Sequence, residues 1–341
     1  MKSVLLRSLL SLSGLPGLLC AQEQQTVRVG DFKLESGEVI HDCTIGYRTF
    51  GTLNPDKSNA VLFPTALGWQ SAGLASRIGA GKLVDNAKYF VIAIDSLGDG
   101  ISSSPSNSRS QPGLSFPQFS IRDLVNVEQK VVSENIHIQH LHAVIGFSMG
   151  GMQAFQWAVT FPNFVDKIVS IVGSPQLSSY DLLLWRTTLL ALESDPDWKQ
   201  GRYSQEPALH LMNMLQALAL QTPEFVNTNT TRQDYSKFES GLRQESDDLG
   251  ANDMLRQIQA VLSTDVAGSF GGSLQSAAAA VRAQSLVVVN RQDRLVDPLP
   301  AIAFAKLLHA QLIELDSSCG HRVHGCDVQR IGQEVGAFLR K

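Results

Sequence analysis

The sequence predicts an α/β fold: a mostly parallel central sheet with helices on both faces and a helical insertion in its second half. Three observations lead there. From about Thr26 to Ser179, short apolar, β-branched runs alternate with turns and helical patterns, the rhythm of crossover units on a parallel sheet. From about Ser178 to Ala278 the strand signal vanishes and only amphipathic helical stretches follow one another. Strand patterns then return and a last helical pattern ends the sequence.

Taken in order, "VRVGDFKLESG" and "CTIGYRTFGTLN" read as an opening antiparallel pair. "NAVLFPTAL", "YFVIAID" and "LHAVIGF" are continuous apolar runs, the mark of strands covered on both faces. "SIRDLVNVEQKVVSEN" and "MGGMQAFQWAVTFP" carry helical periodicity between and after them, and "DKIVSIVGS" is the next strand. "YDLLLWRTTLLALESD", "PALHLMNMLQALALQ" and "GANDMLRQIQAVLS" are the helices of the insertion, a cap over the carboxyl edge of the sheet. Their Met and Leu residues repeat at helical spacing and are read as packing. "QSLVVVNRQD" and "QLIELDSS" are the closing strands, and "DVQRIGQEVGAFLRK" is the final helix. The expected organisation is a core over 26–179, a helical lid over 180–278 and the rest of the core over 279–341. "SSSPSNSRSQPG" reads as a polar surface excursion.

The 341 residues are 43% hydrophobic and 18% charged, with a formal net charge of −4. This is ordinary globular composition, without the basic excess that nucleic acid would call for. Lys2 and Arg7 precede a mostly apolar run from Leu9 to Cys20, broken by Gly14 and Pro16, and a polar segment follows. That is the layout of a signal peptide over 1–21, cleaved after Ala21, and the expected location is exported, periplasmic or secreted. The run is too short to span a bilayer. With Cys20 removed, Cys43, Cys319 and Cys326 remain. Either Cys319 and Cys326 bridge in an oxidising compartment or all three are free thiols.

The chemistry centres on Gly146-Phe147-Ser148-Met149-Gly150, a G-x-S-x-G pattern between a strand and a helix. There the turn strains the serine backbone, flanking glycines supply room, and the hydroxyl stands at a helix N-terminus. Gly151 allows close packing of helix on sheet. A serine nucleophile needs a base, and the base needs an acid to orient it. After the strand "SLVVVN" come Asp293 and Asp297; after "LIELDSS" come His321 and His324. Asp293 is chosen because it is nearer the strand, while Asp297-Pro298 reads as a helix start. His321 is chosen because Gly320 precedes it in a loop, leaving His324 as a supporting or surface residue. The loop "FPTALGWQSAG" offers the Leu67 amide to join that of Met149 in an oxyanion hole. His137, His140 and His142 cluster in "NIHIQHLHAV", but no acidic ligand sits between them, so no metal is expected, and no cofactor either.

These residues resemble the homoserine O-acetyltransferase family of α/β-hydrolases. "GFSMGGMQAFQWAVTFP" is similar to its nucleophile elbow, and "LESGEVIHDCTIGYRTFGTLNPDKSNAVL", "FPQFSIRDLV", "DPDWKQGRY" and "GANDMLRQIQAVLSTDV" to other parts of it. The resemblance covers nearly the whole chain after the leader. It implies an α/β-hydrolase fold with a helical lid, a Ser148–Asp293–His321 triad, an acyl-enzyme on Ser148, oxyanion stabilisation by the Leu67 and Met149 amides, and a homodimer through lid helices.

The family's substrate contacts are altered, however. Its acetyltransferases hold homoserine with an arginine and a tyrosine on a lid helix, positions that align here with Asn213 and Leu220. The aspartate that follows the family's histidine, and holds the amine, is Arg322. An ammonium facing Arg322 would be repelled. The family's "HALTG" reads "TALGW", and Phe147 replaces the glycine usual before the serine. An exported enzyme would also lack acetyl-CoA, which makes water the expected acyl acceptor. The resulting expectation is an exported serine hydrolase acting on small-molecule carboxylic esters. The alternatives are an O-acyltransferase for a small alcohol other than homoserine, and an inactive binding protein on the same fold.

Overall fold

The computed structural model describes residues 23–244 and 249–341. The proposed leader, 1–21 with Cys20, lies outside the described residues. Eight strands form one sheet: β1 (Gln25–Lys33), β2 (Val39–Phe50), β3 (Ala60–Pro64), β4 (Phe90–Ile94), β5 (Leu141–Phe147), β6 (Val165–Ile171), β7 (Gln284–Asn290) and β8 (Gln311–Leu315). Their spatial order is β1-β2-β4-β3-β5-β6-β7-β8. The first two junctions, β1 with β2 and β2 with β4, are antiparallel, and all the others are parallel.

The continuous apolar runs lie where both faces are covered. In β7, Val287 and Val289 join one packed layer while Leu286 and Val288 join the other, the period-2 alternation of a strand between two helical layers. One layer holds the elbow helix Met149–Thr160, with Trp157 fully buried; the other holds the final helix Val328–Leu339 through Ile331, Val335 and Phe338. Trp157 donates its indole N–H to Glu128 at 2.7 Å from the helix Ile121–Lys130.

Chain direction across the sheet reverses at β3: the chain steps from β3 out to β4, then crosses back to β5 on the other side. Such a switch point opens a crevice beyond the carboxyl ends of neighbouring strands. Here it lies between the loop that follows β3 and the turn that follows β5.

Between β6 and β7 the chain is helical, chiefly Ser179–Glu193, His210–Leu220, Pro223–Asn229, Tyr235–Gln244 and Ala251–Leu262. The base of this insertion is pinched shut, since Leu177 and Val266 donate their amides to Thr264 and Pro175 at 3.2 and 2.9 Å. The expected boundary at 278 falls inside the helix Leu274–Ala280, which packs against the elbow helix.

One loop differs from its sequence reading. The start of "SSSPSNSRSQPG" is no surface excursion: Ser102, Ser103 and Ser104 are all buried. Ser102 and Ser103 accept hydrogen bonds from the amides of Gly46 and Thr44 at 2.9 and 2.8 Å. Short hydroxyl side chains can satisfy strand amides in place of a neighbouring strand, which composition alone does not reveal. Among the described residues, no helix is long and apolar enough to cross a membrane.

Candidate active site

Ser148 sits between the end of β5 and the first turn of the elbow helix with φ 50° and ψ −118°. A non-glycine residue in that region is strained, and such strain persists only where the surroundings enforce it. Here they do. The Ser148 amide donates to Ile171 at 2.9 Å, and its carbonyl accepts from Met152 at 2.9 Å. A Cβ on Gly146 would lie 2.1 Å from the Gly150 backbone, and one on Gly151 would lie 2.8 Å from Ser170 Oγ. The glycines of the motif are therefore steric requirements of the turn.

Three sequence-predicted residues converge. Ser148 Oγ lies 2.9 Å from His321 Nε2, and His321 Nδ1 lies 2.7 Å from Asp293 Oδ2. Asp293 and His321 are both buried. The second oxygen of Asp293 accepts from the amides of Leu295 and Val296 at 2.9 and 3.0 Å, which fixes the orientation of the carboxylate. A buried carboxylate against Nδ1 leaves Nε2 to take a proton from the hydroxyl. Asp297 serves instead as the cap of the helix Pro298–Leu307, accepting from the Leu299 amide at 3.0 Å.

The histidine loop is clamped from β7. Asn290, fully buried, donates to the carbonyls of Ser317 and Gly320 at 2.8 and 2.7 Å, and accepts from the Ser317 amide at 2.9 Å. A Cys319–Cys326 disulfide brackets His321, and Cys43 is a buried thiol whose pKa is raised by desolvation to about 12. Thr222, from the helical insertion, donates to Ser318 O at 2.6 Å. Neither Asn290 nor Thr222 stands out in the sequence, because their roles depend on which loops meet.

The loop after β3 is equally constrained. Trp69 donates its amide to Ala66 at 3.0 Å, and Gly68 donates to Gln257 Oε1 at 2.8 Å. Gln257 and Gln153, both fully buried, also donate to Leu97 O and Thr65 O at 3.2 and 3.1 Å. The Leu67 amide has no acceptor among the described residues. Met149 opens the elbow helix, where an N–H has no intrahelical acceptor.

A cavity of about 390 Å³ contains Ser148 and His321, with Leu67, Trp69, Phe147 and Leu295 among its walls. Two of the residues singled out as substrate contacts, Leu220 and Arg322, line it too. Asn213 does not; it lines an adjoining cavity of about 520 Å³ and donates to Ala208 O at 3.2 Å. His324 is no surface residue, for its ring packs 5.0 Å from that of Phe147 and 5.6 Å from that of Trp69. Burial, and then the charges of His321, Arg77 and Arg322, push its pKa down to about 3. The clustered histidines of "NIHIQHLHAV" lie elsewhere: His140 faces Asp166 at 2.7 Å and His142 faces Leu339 O at 3.0 Å.

With eight strands in this order and this site at the switch point, the chain belongs to the alpha/beta hydrolase fold family, whose model matches residues 60–325. Within that fold it is a divergent member of the homoserine O-acetyltransferase-like group, and it is an enzyme of the esterase or acyltransferase kind. It is 29% identical to a homoserine O-acetyltransferase of Methanosalsum zhilinae, over 91% of this chain and 71% of the relative. It is equally 29% identical to an ethyl acetate hydrolase of Pseudomonas veronii, over 91% of this chain and 92% of the relative. An acetylester hydrolase from Corynebacterium glutamicum superposes with a TM-score of 0.86 at 27% identity, covering 94% of this chain and 96% of that one.

Proposed function

We propose that this protein hydrolyses carboxylic esters through an acyl-enzyme on Ser148. The observation that carries the reading is the hydrogen-bonded run from Ser148 Oγ to His321 at 2.9 Å and on to Asp293 at 2.7 Å. As Ser148 Oγ attacks the ester carbonyl, its proton passes to His321 Nε2, and Asp293 stabilises the imidazolium. The carbonyl oxygen becomes an oxyanion received by the Leu67 and Met149 amides. The C–O bond to the alcohol then breaks, and the alcohol leaves with the proton from His321. Water attacks the acyl-enzyme, gives its proton to His321, and the acid is released as Ser148 regains a proton.

Water is favoured over homoserine as acceptor because Arg322 borders the cavity and, among the described residues, no carboxylate lines it to meet an ammonium. Export is part of the proposal, supported by the basic-then-apolar start of the sequence and by the Cys319–Cys326 bridge, which suits an oxidising compartment. We also propose a homodimer through the helical insertion, supported by exposed Leu183, Leu190 and Leu218.

The test is to incubate the mature protein with short p-nitrophenyl esters, an organophosphonate, and then homoserine with acetyl-CoA. Ester cleavage and labelling of Ser148 are expected. Efficient O-acetylhomoserine formation without ester cleavage would establish acyl transfer instead. No labelling and no turnover of any kind would leave a binding protein.

A further inference from the structure

Four buried polar nitrogens on the walls of the Ser148 cavity have no hydrogen-bond partner: Arg77 Nε, Trp185 Nε1, Gln216 Nε2 and His324 Nδ1. They come from separate parts of the chain. Arg77 ends the short 3-10 turn Ala75–Arg77, Trp185 and Gln216 lie on the insertion helices Ser179–Glu193 and His210–Leu220, and His324 follows the histidine loop. Trp185 is only 2% exposed, so its indole N–H has no ready access to solvent. Leaving such groups unpaired is costly, and natural proteins leave few. Three of them, on Arg77, Trp185 and Gln216, are donors in every protonation state, and acceptors on a ligand would complete them.

The charge of the cavity narrows that ligand. Arg77 and Arg322 line it, and neither has an ion-pair partner among the described residues. Among the described residues no carboxylate lines the cavity, and Asp293, behind His321, is already engaged by that ring and two backbone amides. His324, held neutral, adds no charge. Two guanidiniums without counter-ions, beside an indole and an amide donor, form a site for an anionic oxygen group.

We propose that the ester this enzyme cleaves carries a carboxylate, seated by Arg77 and Arg322 with Trp185 and Gln216 as neutral donors. The inference rests on the esterase reading and specifies its substrate class. A cavity of about 390 Å³ suits a small ester of this kind. The carboxylate can belong to either half of the ester, a dicarboxylic half-ester or an acyl ester of a hydroxy acid, and separate substrates distinguish the two.

The test uses the mature protein and compares kcat/KM within matched pairs. 4-Nitrophenyl hydrogen succinate is set against its methyl-capped diester, and 3-acetoxypropionate against methyl 3-acetoxypropionate. The charged member of at least one pair should be preferred by about 10-fold or more, the scale of one charge-assisted hydrogen bond. R77M and the exposed-site variant R322Q should each reduce that preference about 10-fold, mostly through KM, as loss of ground-state binding requires. Arg77→Lys should recover part of it, which a merely structural role for Arg77 would not produce. A preference ratio of one or less in both pairs overturns the inference, and so does a ratio that survives both R77M and R322Q. The underlying reading has its own control, since absence of p-nitrophenyl acetate cleavage and of phosphonate labelling at Ser148 would sink esterase and carboxylate site together.

Discussion

Asn290 offers the sharpest test of how the fold positions His321. It is the last residue of β7, fully buried, and holds the loop that follows β8 with two donated hydrogen bonds and one accepted. Asn290→Asp keeps the volume and can still accept from the Ser317 amide. It replaces the amide donor with a second carboxylate oxygen aimed at the carbonyls of Ser317 and Gly320, now 2.8 and 2.7 Å away. The Ser317 and Gly320 carbonyls keep their backbone donors, the amides of Gly320 and Val323, but each loses one hydrogen bond worth about 1 kcal/mol. The new carboxylate must either ionise against them or take up a proton, so a loss of about 3 kcal/mol or more is expected. Gly320 immediately precedes His321 with a φ of +61°, and an added Cβ there would lie 2.9 Å from the Leu220 carbonyl, so the backbone of the insertion lies close beside it. Displacement of that residue moves Nε2 away from Ser148, and a shift near 1 Å costs on the order of 10²-fold in rate. Urea unfolding gives the first quantity and kcat on p-nitrophenyl acetate, measured well below the unfolding transition, gives the second. A variant destabilised as expected but with kcat within threefold of the parent would refute the claim that this clamp places the histidine. Unchanged stability would refute the hydrogen-bond reasoning itself.

Ser148→Ala should lower kcat by at least about 10⁴-fold while leaving unfolding stability within about 1 kcal/mol, measured by p-nitrophenyl ester hydrolysis and urea titration. Gly146→Ala places a Cβ 2.1 Å from the Gly150 backbone, so the elbow must shift; insoluble protein or a loss above about 3 kcal/mol is expected, and a stable active variant would contradict the steric account. Reduction of Cys319–Cys326, or replacement of both by Ser, opens a loop whose ends are seven residues apart and should cost about 2 kcal/mol with a fall in kcat, because the bridge brackets His321. Burial pushes the Glu128 carboxyl up to about 8 from an ordinary 4.5, with the Trp157 N–H opposing the shift. Since the unfolded chain gives up this proton first, the stability tied to neutral Glu128 is complete below pH 4.5 and lost as pH rises toward 8, about 5 kcal/mol in all. Glu128→Gln keeps an acceptor for Trp157 and should flatten that slope; parallel profiles for parent and variant in urea titrations from pH 5 to 8.5 would count against it.

How far the sequence could be read follows from what each feature depends on. The inner strands β3 to β7 were legible because burial on both faces forces continuous apolar runs, and the elbow was legible because strained backbone beside a packed helix requires glycines at 146, 150 and 151. The residues meeting Ser148 were findable too: Asp293 and His321 both stand in the loops that leave the last two strands, and a parallel sheet delivers all such loops to one edge. Asp297 was separable from Asp293 for a local reason, the proline that follows it. What stayed hidden depends on contacts between distant segments. Asn290 looks like any polar strand end, and Gln257 like any polar position on an amphipathic helix; only the assembled loops show them holding the His321 and Leu67 turns. The serines at 102–104 misled for the same reason, since a hydroxyl that caps a strand amide has the composition of one that faces water. His324 and Arg77 carry the most consequence. Their residue types suit a solvated surface, yet the fold places them on the wall of the Ser148 cavity, each with one buried ring or guanidinium nitrogen that meets no hydrogen-bond partner. The Ser148 arrangement was thus encoded locally by strain and strand ends, whereas the selectivity proposed for it rests on residues that meet only where the helical insertion joins the core, and it must be tested there.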